Sequence, residues 1–109
     1  MKWIALTSED QLKNILEKSA HKPQVIYKHS KTCSVSSLAK NRLEKNTTPD
    51  GVDFYFLDIW ANRDLSNKVA RDLHIRHESP QVLLIKNGEC VYDESHLSIR
   101  MDELLSHAA

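Results

Sequence analysis

Apolar and polar positions along the chain follow two alternating rhythms, one of period two and one of period three to four. Trp3-Ile4-Ala5-Leu6 is a short apolar run that predicts an edge strand. Thr7 or Ser8 then offers a hydroxyl to cap a helix, and Glu9 and Asp10 suit its positive N-terminal end. Leu12, Ile15 and Leu16 make one apolar stripe, which Lys22-Pro23 terminates. Gln24 to Lys28 is rich in β-formers and predicts a strand, followed by a loop at His29-Ser30-Lys31-Thr32. From Cys33 to Lys45 the spacing is helical, with Val35, Leu38, Ala39 and Leu43 on one side. Thr48-Pro49-Asp50-Gly51 is turn chemistry. Val52 to Ile59 is nearly continuously apolar, as expected of a central strand covered on both faces. Leu65, Val69 and Leu73 define a helix over 62–73. Gln81 to Lys86 and Glu89 to Glu94 read as two strands joined by Asn87-Gly88, a strong hairpin signal. Ser98 is placed to cap a last helix carrying Ile99, Met101, Leu104 and Leu105.

The predicted order is β-α-β-α-β-α-β-β-α. A crossover half followed by a hairpin half gives an α/β fold, a mixed central β-sheet flanked by helices on both faces. This arrangement resembles the thioredoxin-like fold. Composition narrows the function classes. The 109 residues suit a single domain spanning 1–109, and 40% apolar with 28% charged residues exclude a disordered chain. Lys+Arg and Asp+Glu are both 15, so there is no electrostatic reason to expect a nucleic-acid or anionic-membrane partner. No apolar run approaches the roughly 20 residues that span a bilayer. The N-terminal segment turns polar at Thr7, too early for a secretory signal, so a cytoplasmic location is expected.

The two cysteines decide the chemistry. In a cytoplasmic chain they are core thiols or reactive groups rather than a structural disulfide. Cys33 stands where a strand and loop hand over to a helix. The unpaired N–H groups there stabilise a thiolate. His29 and Lys31, read as neighbours on that loop, could add positive charge. The motif Cys33-Ser34-Val35-Ser36 has serine where a resolving cysteine would stand, so Ser36 can donate a hydrogen bond but cannot resolve a mixed disulfide. The chemistry expected is monothiol.

His77-Glu78-Ser79-Pro80 directly precedes a strand, where proline fits because it lacks a ladder donor. Likeness to thioredoxin-like proteins implies that Ser79–Pro80 is cis and faces Cys33, leaving Ser79 backbone groups for an extended substrate. Cys90 lies beyond the hairpin turn, roughly 20 Å from Cys33 at about 3.3 Å per residue, so it is expected to be an ordinary strand thiol. The same counting sets residue 95 opposite residue 80 and brings His96 back toward the Cys33 end, with a plain surface histidine as the simpler reading. Asp58, at the end of a strand, reads as a strand terminus, with an ion-partner or proton-relay role as the alternative. His74-x-x-His77 has no Cys or carboxylate at a familiar zinc spacing, and no metal site is expected.

The segments Lys28-His29-Ser30-Lys31-Thr32-Cys33, Ser36, His77-Glu78-Ser79-Pro80-Gln81, Asn87-Gly88 and Ser95-His96 together resemble the monothiol bacilliredoxin family across nearly the whole chain. The chain departs from that family at Ser34, where proline is common. The resemblance implies Cys33 as nucleophile and Pro80 as the cis proline. It also implies oxidised, S-thiolated client proteins as partners and bacillithiol, a low-molecular-weight thiol, as co-substrate with no tightly bound cofactor. Thr32, Ser79 and Pro80 are the expected substrate-binding residues. His29, Lys31, His77 and His96 are expected around them. Two other readings stay open: a non-catalytic interaction module on the same fold, and an Fe–S carrier like the monothiol glutaredoxins, whose Cys-Gly-Phe-Ser differs here at Ser34 and Val35.

Overall fold

A computed structural model describes residues 1–109. Strand β1 (Ile4–Ala5) leads into helix α1 (Glu9–Lys18), where Ser8 Oγ accepts the Gln11 N–H at 3.1 Å and so decides between the two candidate caps. Strand β2 spans Gln24–His29, one residue longer than expected, and helix α2 spans Ser34–Glu44 with Cys33 as its N-cap. Strand β3 (Asp53–Asp58) and helix α3 (Arg63–Asp72) follow. Strands β4 (Gln81–Lys86) and β5 (Glu89–Ser95) form the hairpin. Asn87 and Gly88 both have positive φ, 53° and 77°, the backbone that a two-residue hairpin turn with this hand requires.

The five strands lie in the order β1-β3-β2-β4-β5. β1, β3 and β2 are parallel, β4 runs antiparallel to β2, and β5 antiparallel to β4. The sheet is therefore mixed, with β2 in its centre. The faces separate two apolar clusters. Leu12 and Ile15 of α1 and Leu65 and Val69 of α3 pack with Ile26, Leu57 and Leu83 on one side. Ala39 and Leu43 of α2 and Leu104 of helix α4 (Met101–Ala108) pack with Val25, Tyr27 and Leu84 on the other. β2 is buried along its whole length because helices cover both its faces.

Three details depart from the sequence-based expectations. The hairpin pairs Ile85 with Cys90 but Leu84 with Tyr92, so Val91 is an extra residue on β5. This bulge shifts the register by one: Ser95 opposes Gln81, not Pro80. Ser98 caps nothing. It closes a 3₁₀ turn at His96–Ser98, and α4 starts two residues later, after Arg100. Ile99 must stay extended (φ −70°, ψ 118°) to reach the core, where it is fully buried, and that delays the helix. Leu38, counted on the apolar side of α2, is 48% exposed. The core-facing stripe of α2 is Ser36, Ala39 and Leu43, which leaves Leu38 beside it on the surface.

Candidate active site

The C-terminal ends of the three parallel strands and the start of β4 meet at one end of the sheet. Cys33, Ser79-Pro80 and His96 are all placed there. Ile59 N–H donates to His29 C=O at 3.0 Å, and His96 N–H donates to Pro80 C=O at 3.0 Å, while Lys28 pairs with Gln81 between them, so four segments are joined across this end.

Cys33 is half-buried, with extended backbone (φ −105°, ψ 117°) that its N-cap place requires. Its thiol makes no capping hydrogen bond. The Ser36 N–H, and after it the Val35 N–H and Ser36 hydroxyl, favour the anion and outweigh partial desolvation, holding the thiol below its ordinary value. The geometry around Ser36 explains the hydroxyl's direction. Ser36 is fully buried, and its Oγ accepts the Ser30 N–H at 3.3 Å, leaving its own O–H free to donate. Tyr27 Oη donates to Ser36 C=O at 2.7 Å and fixes the first turn of α2 from beneath. Burial, and after it the nearby Cys33 charge, keeps Tyr27 a neutral phenol.

The surrounding residues separate into those that reach this end and those that serve elsewhere. Thr32 is exposed, and its Oγ1 lies 3.3 Å from Ser30 Oγ. Trp60, half-exposed, donates from Nε1 to Ser30 Oγ at 3.1 Å, an aromatic wall beside the Cys33 loop that the sequence did not reveal. Lys31 is exposed and joins no ion pair within the chain.

His29 corrects the expectation of a charged loop histidine. It is the last residue of β2, only 9% exposed, with its ring 5.1 Å from that of Phe56. Burial first, then the Lys40 charge, lowers its basicity, so near neutral pH it is uncharged and adds no positive field at Cys33. Asp58 is a strand terminus that holds the chain just after it, since its Oδ1 accepts the Trp60 N–H at 2.9 Å.

The Ser79–Pro80 bond is cis. Ser79 N–H and C=O have no hydrogen-bond partner within the protein, and its Oγ is buried without one. His96 sits next to Pro80 through its backbone (φ 58°), but its register partner is Pro80 only because of the Val91 bulge. His74 and His77 part company. His74 borders a hollow with Asp72, Glu89 and Cys90, while His77 Nδ1 lies 3.0 Å from Lys28 Nζ. No three His, Cys, Asp or Glu side chains converge as metal ligands.

Lys28 is the residue that sequence reading missed. Its side chain is fully buried, and Nζ also donates to Ser66 C=O of α3 at 3.2 Å. Burial pulls its ammonium down to about 8. The one available signal was alternation: Gln24, Ile26 and Lys28 share a face, and Ile26 is core.

Cys90 lies at the other end of the sheet. It opposes Ile85, which opposes Gln24, the first residue of β2. Five steps along β2 put that pair about 17 Å from His29, with Cys33 farther still. No bridge to Cys33 is possible over that span, and both thiols are free.

Comparison with known proteins assigns the class first. The chain superposes on a candidate oxidoreductase with a thioredoxin fold at a TM-score of 0.85 and 33% identity, covering 97% of this chain and 93% of the other. The thioredoxin Mala s 13 of Malassezia sympodialis matches at a TM-score of 0.80 and 22% identity, covering 99% and 92%. Thioredoxin from Trypanosoma brucei brucei matches at 0.77 and 16%, covering 97% and 87%. The molecule thus has the thioredoxin fold. The particular family follows from the sequence model of monothiol bacilliredoxin BrxC, which matches residues 4–104. The chain belongs to the monothiol bacilliredoxin family, and family and fold together support a redox thiol function.

Proposed function

We propose that the protein is a monothiol thiol–disulfide oxidoreductase that removes a low-molecular-weight thiol, such as bacillithiol, from mixed disulfides on client proteins in the cytoplasm. The observation that carries this reading is Cys33 at the N-cap of α2, with its anion favoured by Ser36 and Val35 and no second cysteine within bridging distance.

The Cys33 thiolate attacks the small-thiol sulfur of the mixed disulfide. The old S–S bond breaks, and its electron pair leaves on the client sulfur, which takes a proton and departs as a thiol. Cys33 now holds the small thiol in a new disulfide. Ser36 has no sulfur with which to displace it. A second small-thiol molecule, as thiolate, attacks the bound small-thiol sulfur, leaves as the symmetrical disulfide and returns Cys33 to its thiolate.

Ser36 and the helix N-terminus stabilise the anion, and Thr32, Ser79 and Pro80 position the client. Two features support a protein client. The unpaired Ser79 N–H and C=O can accept an extended segment by strand addition. No cavity is lined by Cys33, so the thiol is approached over an open face rather than through a pocket.

Incubation of a bacillithiolated client with the reduced protein tests the reading. Mass spectrometry is expected to find the client thiol freed and the adduct on Cys33. A Cys33→Ser variant that frees the client as fast as the parent overturns it. A Cys33 that titrates at or above an ordinary thiol favours a non-catalytic binding module instead.

A further inference from the structure

An ammonium buried without a carboxylate is unusual, because desolvation of the charge is unfavourable unless hydrogen bonds replace water. Lys28 is such a group, and both of its hydrogen bonds are long-range in sequence: Ser66 C=O on α3, and His77 Nδ1, 49 residues away on the segment leading to Ser79-Pro80. Its cross-strand partner on β4 is Gln81. Gln81 is also buried, and it grips the same segment. Its Nε2 donates to Arg76 C=O at 3.0 Å, and its Oε1 accepts the Glu78 N–H at 3.3 Å. Two buried side chains, paired across the sheet, therefore hold residues 76 to 78 just before the expected docking residues.

We propose that Lys28 is a positioning residue: by donating to His77 Nδ1 while Ser66 C=O holds its ammonium, it fixes the His77–Gln81 segment so that Ser79 and Pro80 meet a client in one conformation. This rests on reading that segment as the client-docking edge.

The anchor is directional. Lys28 can donate only if His77 Nδ1 carries no proton, which makes neutral His77 the Nε2–H tautomer. His77 is faced by Lys28 of β2, Arg63 of α3 and its own neighbour Glu78. Partial desolvation first, then Lys28 and Arg63, lowers its basicity, with Glu78 opposing. Protonation of His77 sets two donors against each other and releases the segment. That release occurs below pH 6.5, the ordinary histidine value.

The test compares Lys28→Met, His77→Leu and His77→Asn, the last keeping an acceptor near the Nδ1 place. His77 is exposed, so its variants fold even if Lys28→Met does not. Loss of a charge-assisted hydrogen bond is expected to speed Glu78 amide exchange about tenfold and to raise KM for a bacillithiolated protein about tenfold. In the same variants kcat and the alkylation rate of Cys33 by iodoacetamide stay unchanged. His77→Asn restores most of the loss, and ¹⁵N spectra of the parent show the Nε2–H tautomer. Unchanged exchange and KM in both Lys28→Met and His77→Leu, or the Nδ1–H tautomer in the parent, overturns the proposal. If the parent frees no client at all, the functional reading falls, and exchange and tautomer still decide for or against the anchor.

Discussion

The two cysteines of this chain sit at opposite ends of one sheet and have opposite chemistry. Cys33 opens a helix, where N–H groups left without intrahelical partners favour its anion. Cys90 sits in an edge strand, packs against the apolar cluster under α1 and α3, and donates from Sγ to Tyr92 C=O at 3.4 Å. Burial first, and then Asp93, pushes its thiol up to about 11. The residue type is the same. What differs is whether the surrounding dipoles point at the sulfur or apolar atoms enclose it.

The contrast breaks most sharply by deletion. Cys33→Ser is expected to abolish release of the small thiol from a client, whereas Cys90→Ala stays within about twofold of the parent, since Cys90 lies at the opposite end of the sheet and the change removes a single sulfur atom. Equal losses in both variants, measured by release of the small thiol, would end the comparison. Alkylation at pH 7 gives the next effect. Cys90 near 11 and Cys33 below 9.0 differ by at least about 100-fold in thiolate fraction. The more basic thiolate is intrinsically the better nucleophile, which returns part of that, so Cys33 is expected to react at least about tenfold faster. Peptide mapping after a short iodoacetamide pulse measures the ratio.

Ser36→Ala sharpens the picture on a smaller scale. It removes the hydroxyl but keeps the backbone N–H, the leading cause of the lowered Cys33 value. The pH–rate profile for alkylation is therefore expected to move upward, slowing Cys33 at pH 7 by about two- to fivefold. An unmoved profile assigns the whole effect to the backbone.

Alkaline stability separates the two ends of the sheet by the sign of its slope. Cys90 has a raised folded value, so its stabilising contribution is present below 9.0 and lost as pH climbs toward about 11. The parent thus loses stability relative to Cys90→Ala across that window. Lys28 has a lowered folded value, so its contribution appears as pH rises from about 8 to 10.5 and is lost on the way down. The parent thus gains on Lys28→Met as pH rises. Urea melts of the three chains across both windows check the two slopes, and slopes of the same sign contradict the assignment.

Most of the architecture was legible beforehand because it rests on local rules. Ser8, Gly51 and Asn87-Gly88 mark boundaries through capping and turn geometry, and the strand and helix assignments fall within a residue or two of the observed spans except at the end of α1, which stops at Lys18, four residues before Lys22. The site was legible where its logic is equally local: Cys33 at a helix start and Ser36 one turn on. It was illegible where partners come from distant segments. His29 reads as a loop residue until β2 is seen to extend through it. Lys28 reads as an ordinary strand lysine until α3 and residue 77 close over it. Trp60 shows no link to the Cys33 loop until its indole is found on Ser30.

The amino-acid order by itself determined the succession of elements, most ends of the helices and the thiol that meets the open end of a helix, because these depend on hydrogen bonds and spacings within a few residues. The tertiary structure alone decided that β2 is the central strand, that Val91 bulges and shifts the hairpin by one, and that an ammonium lies buried against a histidine 49 positions away. Those outcomes depend on which surfaces exclude water together, and that is settled only when distant segments pack.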